Sequence, residues 1–253
     1  MPAFGSIHSI YRYPVKSMAG EAIEQAWVNL DGLEGDRLCA FESSGAPAGM
    51  LRLTGSERRE MLRCQPMLRP NGDVEVLVPG GDRLRVDSHA MLDYLQTRSE
   101  KANEFVLTQA SSPQTDVRPL SLVSIQTVGA LSAELGQEID PRRFRANLYL
   151  DLPEGPFTEY RFVGKALRIG AAATILIRER APRCRFVTYD PEDPLGTAPL
   201  FELMKLLDRH HQARCGVYAT IQKPGPIFAS DSLSLAEETA EECLTTLQSH
   251  QRS

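Results

Sequence analysis

With 253 residues, 42% hydrophobic and 24% charged, the chain has the composition of a globular protein large enough for one large core or two smaller ones. Its formal net charge of −5 argues against a general nucleic-acid binder, and no apolar run approaches the roughly 20 residues of a membrane helix. The N-terminal stretch MPAFGSIHSIYRYPVK lacks a signal-type apolar core, so a cytoplasmic address is expected, with neither membrane nor nucleic acid as partner.

Cysteines at positions 39, 64, 184, 215 and 243 are scattered and form no C-x-x-C pair, which argues against a disulfide framework and against a zinc or iron–sulfur nest. His8, His89, His210, His211 and His250 show no metal-ligand spacing, and His210 and His211 are expected to meet terminal carbonyls at a helix end. Charge is unevenly placed: from Arg161 to Arg185 there are seven Lys/Arg against one acid, Glu179, as suits an anionic small molecule or simply a solvated basic face.

In chain order, the first ~90 residues read as short β-branched or alternating runs, Ile7 to Tyr13, Ala22 to Asn29, Leu38 to Phe41, Val74 to Val78 and Asp82 to Val86. Turn signals such as Asn71-Gly72 and Gly80-Gly81 separate them, the pattern of a small antiparallel barrel or sandwich. Ser88 to Lys101 reads as a short helix or connection, and the polar Gln109 to Thr115 as a linker. Ile125, Val128, Leu131 and Leu135 then recur at helical spacing before Gly136, predicting a helix over 124–135 with a glycine C-cap. Strands are expected at Leu148 to Leu152, Leu167 to Ile169, Ala173 to Arg178 and Gly216 to Gln222, with helices at Leu200 to Arg209 and in the acidic tail, Leu235 to Gln248. The expected fold is mainly β with some α, an α+β chain of two packed β-rich domains with peripheral helices. Its expected divisions are an N-terminal β-barrel domain at 1–110, a second β-barrel domain at 111–233 and a helical tail at 234–253.

Four separated pieces carry the chemistry. Ala181 to Pro194 sets Cys184 between Arg183 and Arg185 in a proline-framed turn, where flanking guanidiniums favour the thiolate that attacks electrophiles or binds soft metals; a buried structural cysteine is the bland alternative. Tyr13-Pro-Val-Lys16-Ser17 places a cation and a hydroxyl after a proline-fixed turn. Gly32-Leu-Glu-Gly-Asp36-Arg37 ends a glycine loop on an arginine suited to bidentate phosphate contact. In Arg142-Arg143-Phe-Arg145-Ala-Asn147, the residues Arg143, Arg145 and Asn147 share one side if the segment is extended.

Taken together and in this order, these pieces, with Arg118-Pro-Leu-Ser121-Leu-Val-Ser124, Phe162-Val-Gly-Lys-Ala-Leu-Arg-Ile-Gly170, Arg180-Ala-Pro-Arg-Cys184-Arg-Phe-Val-Thr188-Tyr-Asp190-Pro191 and Cys215-Gly-Val-Tyr-Ala219, resemble a MOSC protein with its N-terminal β-barrel companion. The relatives meant are the mitochondrial amidoxime-reducing component and the bacterial enzymes that reduce N-hydroxylated purines. The resemblance spans about residues 4 to 233. It implies a molybdenum cofactor (molybdopterin) enzyme in which Cys184 binds the metal through its thiolate, while Lys16, Ser17, Arg37, Arg143, Arg145 and Asn147 hold the cofactor. Ser121 and Ser124 would add donors at a helix opening, and Thr188 and Asp190 would orient the loop or the reacting oxygen, Asp190 counted with Cys184 in the catalytic pair. The activity implied is reduction of small N-hydroxylated substrates with electrons from a separate donor protein, since no ferredoxin-like cysteine set follows Ser230.

Two other readings keep this fold: a sulfur-carrying or cofactor-handling module with a persulfide on Cys184, and a non-catalytic ligand-binding protein. Pyridoxal phosphate enters only at the family level, through fused cysteine-desulfurase-like domains of which this sequence shows no sign. The family pattern is matched only in outline over Leu51 to Pro66. Its tryptophan-bearing segment is not recognisable around Glu104 to Thr108, and Trp27 is the only tryptophan, so substrate contacts in that region stay open.

Overall fold

Strands from both ends of the chain close one barrel, and this closure sets where everything else sits. The computed structural model describes residues 2–43, 59–97, 105–111, 113–114, 117–193, 195–196 and 200–236. Its N-terminal strands are β1 (Gly5–Arg12), β2 (Glu21–Ile23), β3 (Gln25–Asn29), β4 (Gly32–Leu33), β5 (Cys39–Ser43), β6 (Gln65–Leu68), β7 (Val74–Leu77), β8 (Arg83–Arg85) and β9 (Phe105–Gln109). Those that follow are β10 (Leu120–Ser124), β11 (Leu148–Asp151), β12 (Ala166–Ile169), β13 (Ala173–Pro182), β14 (Arg214–Lys223), β15 (Gly225–Phe228) and β16 (Ser232–Leu235). Three helices accompany them, α1 (His89–Thr97), α2 (Ile125–Leu135) and α3 (Phe201–His211).

The large sheet runs β11-β10-β14-β13-β12-β16-β1, and β1 pairs back onto β11, so seven strands form a closed barrel with β2 appended to β1. All its pairings are antiparallel except β10 with β11. Closure leaves no unpaired edge within the barrel, and its interior fills with Ile7, Ile10, Leu122, Leu148, Ile175, Val217 and their neighbours. Alternation explains the inward set: along β13 every second residue from Ala173 to Ile177 is buried. The expected strand at the chain start is present, and it belongs to this barrel rather than to the sheets that β3 to β9 form.

Those sheets are smaller. β5 pairs with β9, β6-β7-β8 form a meander, and β15-β3-β4 form a third sheet. The first two enclose a separate apolar core of Val15, Met18, Phe41, Met61, Val76 and Met91 among others. The residues read as a polar linker are pinned down: Gln109 ends β9, and Gln114 donates from its backbone N to the Arg37 carbonyl at 3.0 Å and from Nε2 to the Leu38 carbonyl at 3.0 Å.

α2 follows its sequence signals. Ser124 caps it by accepting from the backbone N–H groups of Gln126 and Thr127, and Gly136 ends it in the left-handed region at φ 70°. Beneath that N-terminus sits a carboxylate that the sequence analysis did not single out. Glu159, 1% exposed, accepts from Thr127 Oγ1 at 2.9 Å and from the Ser124 backbone N at 3.3 Å. α3 ends where His211 lies 3.0 Å from Glu134 and stacks on the Phe157 ring, so its partners are a carboxylate and an aromatic ring in place of the expected carbonyls. Ser234 and Leu235 belong to β16, which corrects the start of the predicted tail helix; the rest of that tail lies outside the described residues.

Two outcomes follow. Gly216 sits in β14 at φ 71°, and a Cβ there would run into the Leu122 carbonyl of β10; Gly216→Ala is expected to cost at least about 2 kcal/mol in urea unfolding, from backbone strain plus the clash. Burial raises the pKa of Glu159 above 4.5, so the native state holds this proton more tightly than the unfolded chain. Stability is therefore expected to fall as pH rises from about 4.5 through the raised value, a slope that Glu159→Gln should flatten in unfolding curves taken across pH 4 to 8.

Candidate functional site

Segments far apart in sequence meet between the barrel and the N-terminal sheets around a cavity of about 270 Å³. Lys16 and Ser17 reach it from the turn after β1, and Arg37 from the turn after β4. Ser121 reaches it from β10, and Asn147 from just ahead of β11. Arg143 and Arg145 come from the 3-10 turn Pro141–Phe144 and its end, and Cys184 opens the 3-10 turn Arg185–Thr188. The condition under which Arg143, Arg145 and Asn147 would share one side, an extended segment, is not met: the chain makes a tight turn here. Arg145 leaves it in the left-handed region, and all three side chains still line one cavity.

Backbone strain concentrates here. Ser17, Arg37 and Arg145 have φ of 68°, 48° and 49°, a region that costs a non-glycine residue on the order of 1–3 kcal/mol and persists only when surroundings enforce it. The enforcement at Arg37 is visible: its backbone N–H donates to the Tyr13 carbonyl at 2.6 Å, and its carbonyl is held by Gln114.

The central electrostatic arrangement is a guanidinium pair on one ring. Arg37 lies 4.7 Å and Arg145 4.3 Å from the centroid of Tyr13, which is 2% exposed. Arg37 is paired with the fully buried Asp36, whose other oxygen accepts from the Tyr13 backbone N at 2.8 Å. Arg145 donates to the Met18 carbonyl at 2.6 Å and has no carboxylate partner among the described residues. Burial, with Arg37 adding repulsion, lowers its pKa to about 10. Burial also holds the Tyr13 phenol above its ordinary value despite both cations, so the ring stays neutral.

Two further donors are left without partners. Arg143 Nε and Arg183 Nη2 are buried and unsatisfied, although both side chains line the cavity. Arg143 otherwise braces the cysteine loop, donating to the Thr188 carbonyl at 2.9 Å and to Asp190 at 2.7 Å. Arg183 donates to the carbonyls of Cys215 and Phe144, and Arg185 to the Tyr189 hydroxyl, so both arginines flanking Cys184 bind the scaffold. Cys184 itself is exposed, whereas Cys39, Cys64 and Cys215 are buried, and burial pushes the Cys215 thiol up to about 12. Among the described residues no group of three His, Cys, Asp or Glu is placed to hold a metal.

Three predicted residues lie outside the small cavity. The Ser124 hydroxyl is spent on capping α2 and on Gln126. Thr188 is fully buried and donates to the Arg185 carbonyl at 2.7 Å, shaping the turn. Asp190 pairs with Arg143 and lines a second, larger chamber of about 700 Å³, which shares Arg143, Arg145 and Phe186 with the first. Phe186, Arg118 and Tyr218 line the small cavity and were not assigned from sequence, although all three fall inside the quoted motifs.

Buried cations in excess of carboxylates call for an anion. Pyrophosphate is accordingly expected to raise the unfolding temperature of the purified chain more than sodium chloride of equal ionic strength, and Arg145→Gln to abolish the difference in a thermal-shift measurement.

Residues 4–117 match the family model of the MOSC N-terminal beta barrel domain, and residues 111–234 that of the MOSC domain. No curated protein matches the chain. Among solved structures, the YuaD protein from Bacillus subtilis is 15% identical over 93% of this chain and 97% of its own, with a TM-score of 0.51, a likeness of fold. The YiiM protein from Escherichia coli is 14% identical over 90% of this chain and 71% of its own, with a TM-score of 0.41. The chain thus belongs to the MOSC family, which is associated with binding of the molybdenum cofactor, and joins a MOSC domain to a MOSC N-terminal β-barrel domain.

Proposed function

We propose that the chain is a molybdenum-cofactor-dependent oxidoreductase that reduces N-hydroxylated substrates, such as amidoximes and hydroxylamines, with electrons from a separate donor protein. The observation that carries this reading is an exposed thiol, Cys184, opening onto a cavity lined by Arg37, Arg143, Arg145 and Arg183, of which Arg145 and Arg183 have no carboxylate partner among the described residues. The residues fit the cofactor on three counts. The orphaned donors Arg143 Nε and Arg183 Nη2 await an acceptor, Arg145 has no carboxylate partner among the described residues, and the lone Cys184 sulfur would supply a soft ligand to the metal.

In this reading Cys184 is the metal ligand, and Lys16, Ser17 and Arg37 hold the phosphate end. Arg145 and Asn147 present donors to the pterin edges, with Asn147 held in place by Ser121, which donates to its Oδ1 from backbone N and hydroxyl, and by the Tyr11 carbonyl. Arg143 acts through the loop, tying Thr188 and Asp190 so that Cys184 keeps its position. When bound, the cofactor supplies the two-electron couple that cleaves an N–O bond, leaving the amine nitrogen and water once two protons are added. The chain's own part is binding, orientation and the positive field that holds an anionic group in place.

The test is metal analysis and benzamidoxime reduction, on protein made in a host competent for molybdopterin synthesis and supplied with an artificial donor. Stoichiometric molybdenum and turnover, both lost in Cys184→Ser, are expected. Metal-free wild-type protein carrying labile sulfur would replace this reading with that of a sulfur carrier.

A further inference from the structure

The larger chamber holds charge that no carboxylate among the described residues neutralises. Across the β6-β7-β8 meander, Gln65 stands opposite Leu77 and Leu77 opposite Arg83, so the three share one face, and all three line the chamber. Arg63, two residues before Gln65, joins them there. The chamber's three carboxylates are already taken: Glu21 by Arg12 at 2.8 Å, Asp190 by Arg143 at 2.7 Å and Glu192 by Arg142 at 2.6 Å. Arg63 and Arg83 are exposed and have no carboxylate partner among the described residues. The chamber's volume, about 700 Å³, is that of a small-molecule site. Apolar and flat side chains, Leu77, Met67, Tyr189 and Phe186, complete the lining. At the partition with the Cys184 cavity the buried Arg143 has its unsatisfied Nε.

We propose that this chamber is the substrate half of the cleft and selects planar N-hydroxylated molecules bearing a carboxylate, which Arg63 and Arg83 hold while the N–O end lies at the partition formed by Arg143, Arg145 and Phe186. This rests on the reductase reading for the reacting end alone; the carboxylate end is argued from the meander. The two arginines line the chamber and not the small cavity, so they act on substrates and leave the thiol side untouched. A planar guanidinium fork is the group that grips a carboxylate through paired hydrogen bonds.

The experiment compares 4-carboxybenzamidoxime with benzamidoxime on cofactor-loaded protein, by calorimetric binding and by the ratio of their kcat/KM values. Wild-type protein is expected to favour the acid about tenfold, the factor that 1.4 kcal/mol represents, and raised salt should erode the preference. In Arg63→Ala/Arg83→Ala the ratio should fall to about one, while Arg85→Ala, on the neighbouring row and paired with Asp73 and Asp87, should keep it. Equal binding of both compounds by wild type, or a preference that survives the double substitution, overturns the proposal. Preferential binding of the acid without reduction of either compound supports the chamber and overturns the reductase reading; reduction of both without preference does the reverse.

Discussion

Two guanidiniums on one buried tyrosine ring, with a single carboxylate between them, form the constraint around which this molecule is arranged. Charge repulsion and burial both act against placing Arg37 and Arg145 together, and the lowered pKa of Arg145 records that cost. What holds them is a set of geometric commitments: a ring to pack on for each cation, Asp36 fully buried and paired with Arg37, and carbonyls of Met18 and Arg145 each accepting one donor, from Arg145 and Arg37 respectively. Left-handed backbone at Arg37 and Arg145 aims both side chains into the cleft. Such an arrangement is poor for stability taken alone and is relieved by an anion, which is why the cavity reads as a binding site rather than as core.

The thiol opposite is mounted as firmly. Thr188 links the cysteine turn to Arg143 through its carbonyl, which also accepts from the Leu200 backbone N–H at the head of α3, while Arg183 reaches back to Phe144 and Cys215. Cys184 is therefore exposed without being loose: its neighbours in sequence are fixed on both sides while its sulfur stays accessible. The other thiols of the described residues are buried packing groups, a contrast of environment that reactive cysteines depend on.

Much of this was legible in the sequence, for definite reasons. A short β-branched or alternating run marked β1, strand-like runs marked β13 and β14, and the pairing of a helical repeat with Gly136 marked α2 to within a residue, because local sterics decide them. Lys16, Ser17, Arg37, Arg143, Arg145, Asn147 and Cys184 were singled out from motifs, and the fold brings them to one cavity. The failures share a cause. Arg143, Arg145 and Asn147 were grouped on one side on the condition that the segment is extended; the Asp140 cap and Pro141 start a turn instead, and the three still meet at one cavity. Glu159 and Tyr13 as a platform depend on partners more than twenty residues distant, which no local pattern records. Ser124 was placed near its true role as a helix opener, but the hydroxyl is consumed by the cap.

The interleaved barrel has a consequence for how the protein is made. β1 leaves the ribosome first and β16 last among the described strands, yet they are neighbours, and the pairing of β1 with β11 and β16 is what orients the turn carrying Lys16 and Ser17. Contacts of such long sequence separation form slowly, because loop closure precedes their reward. The N-terminal sheets can gather their own core early in synthesis, but the half-barrel they await has no seam to close until Leu235 has emerged. A chain still short of β16 consequently offers no finished cleft, and any ligand that the cleft holds must be acquired once that strand has joined β1.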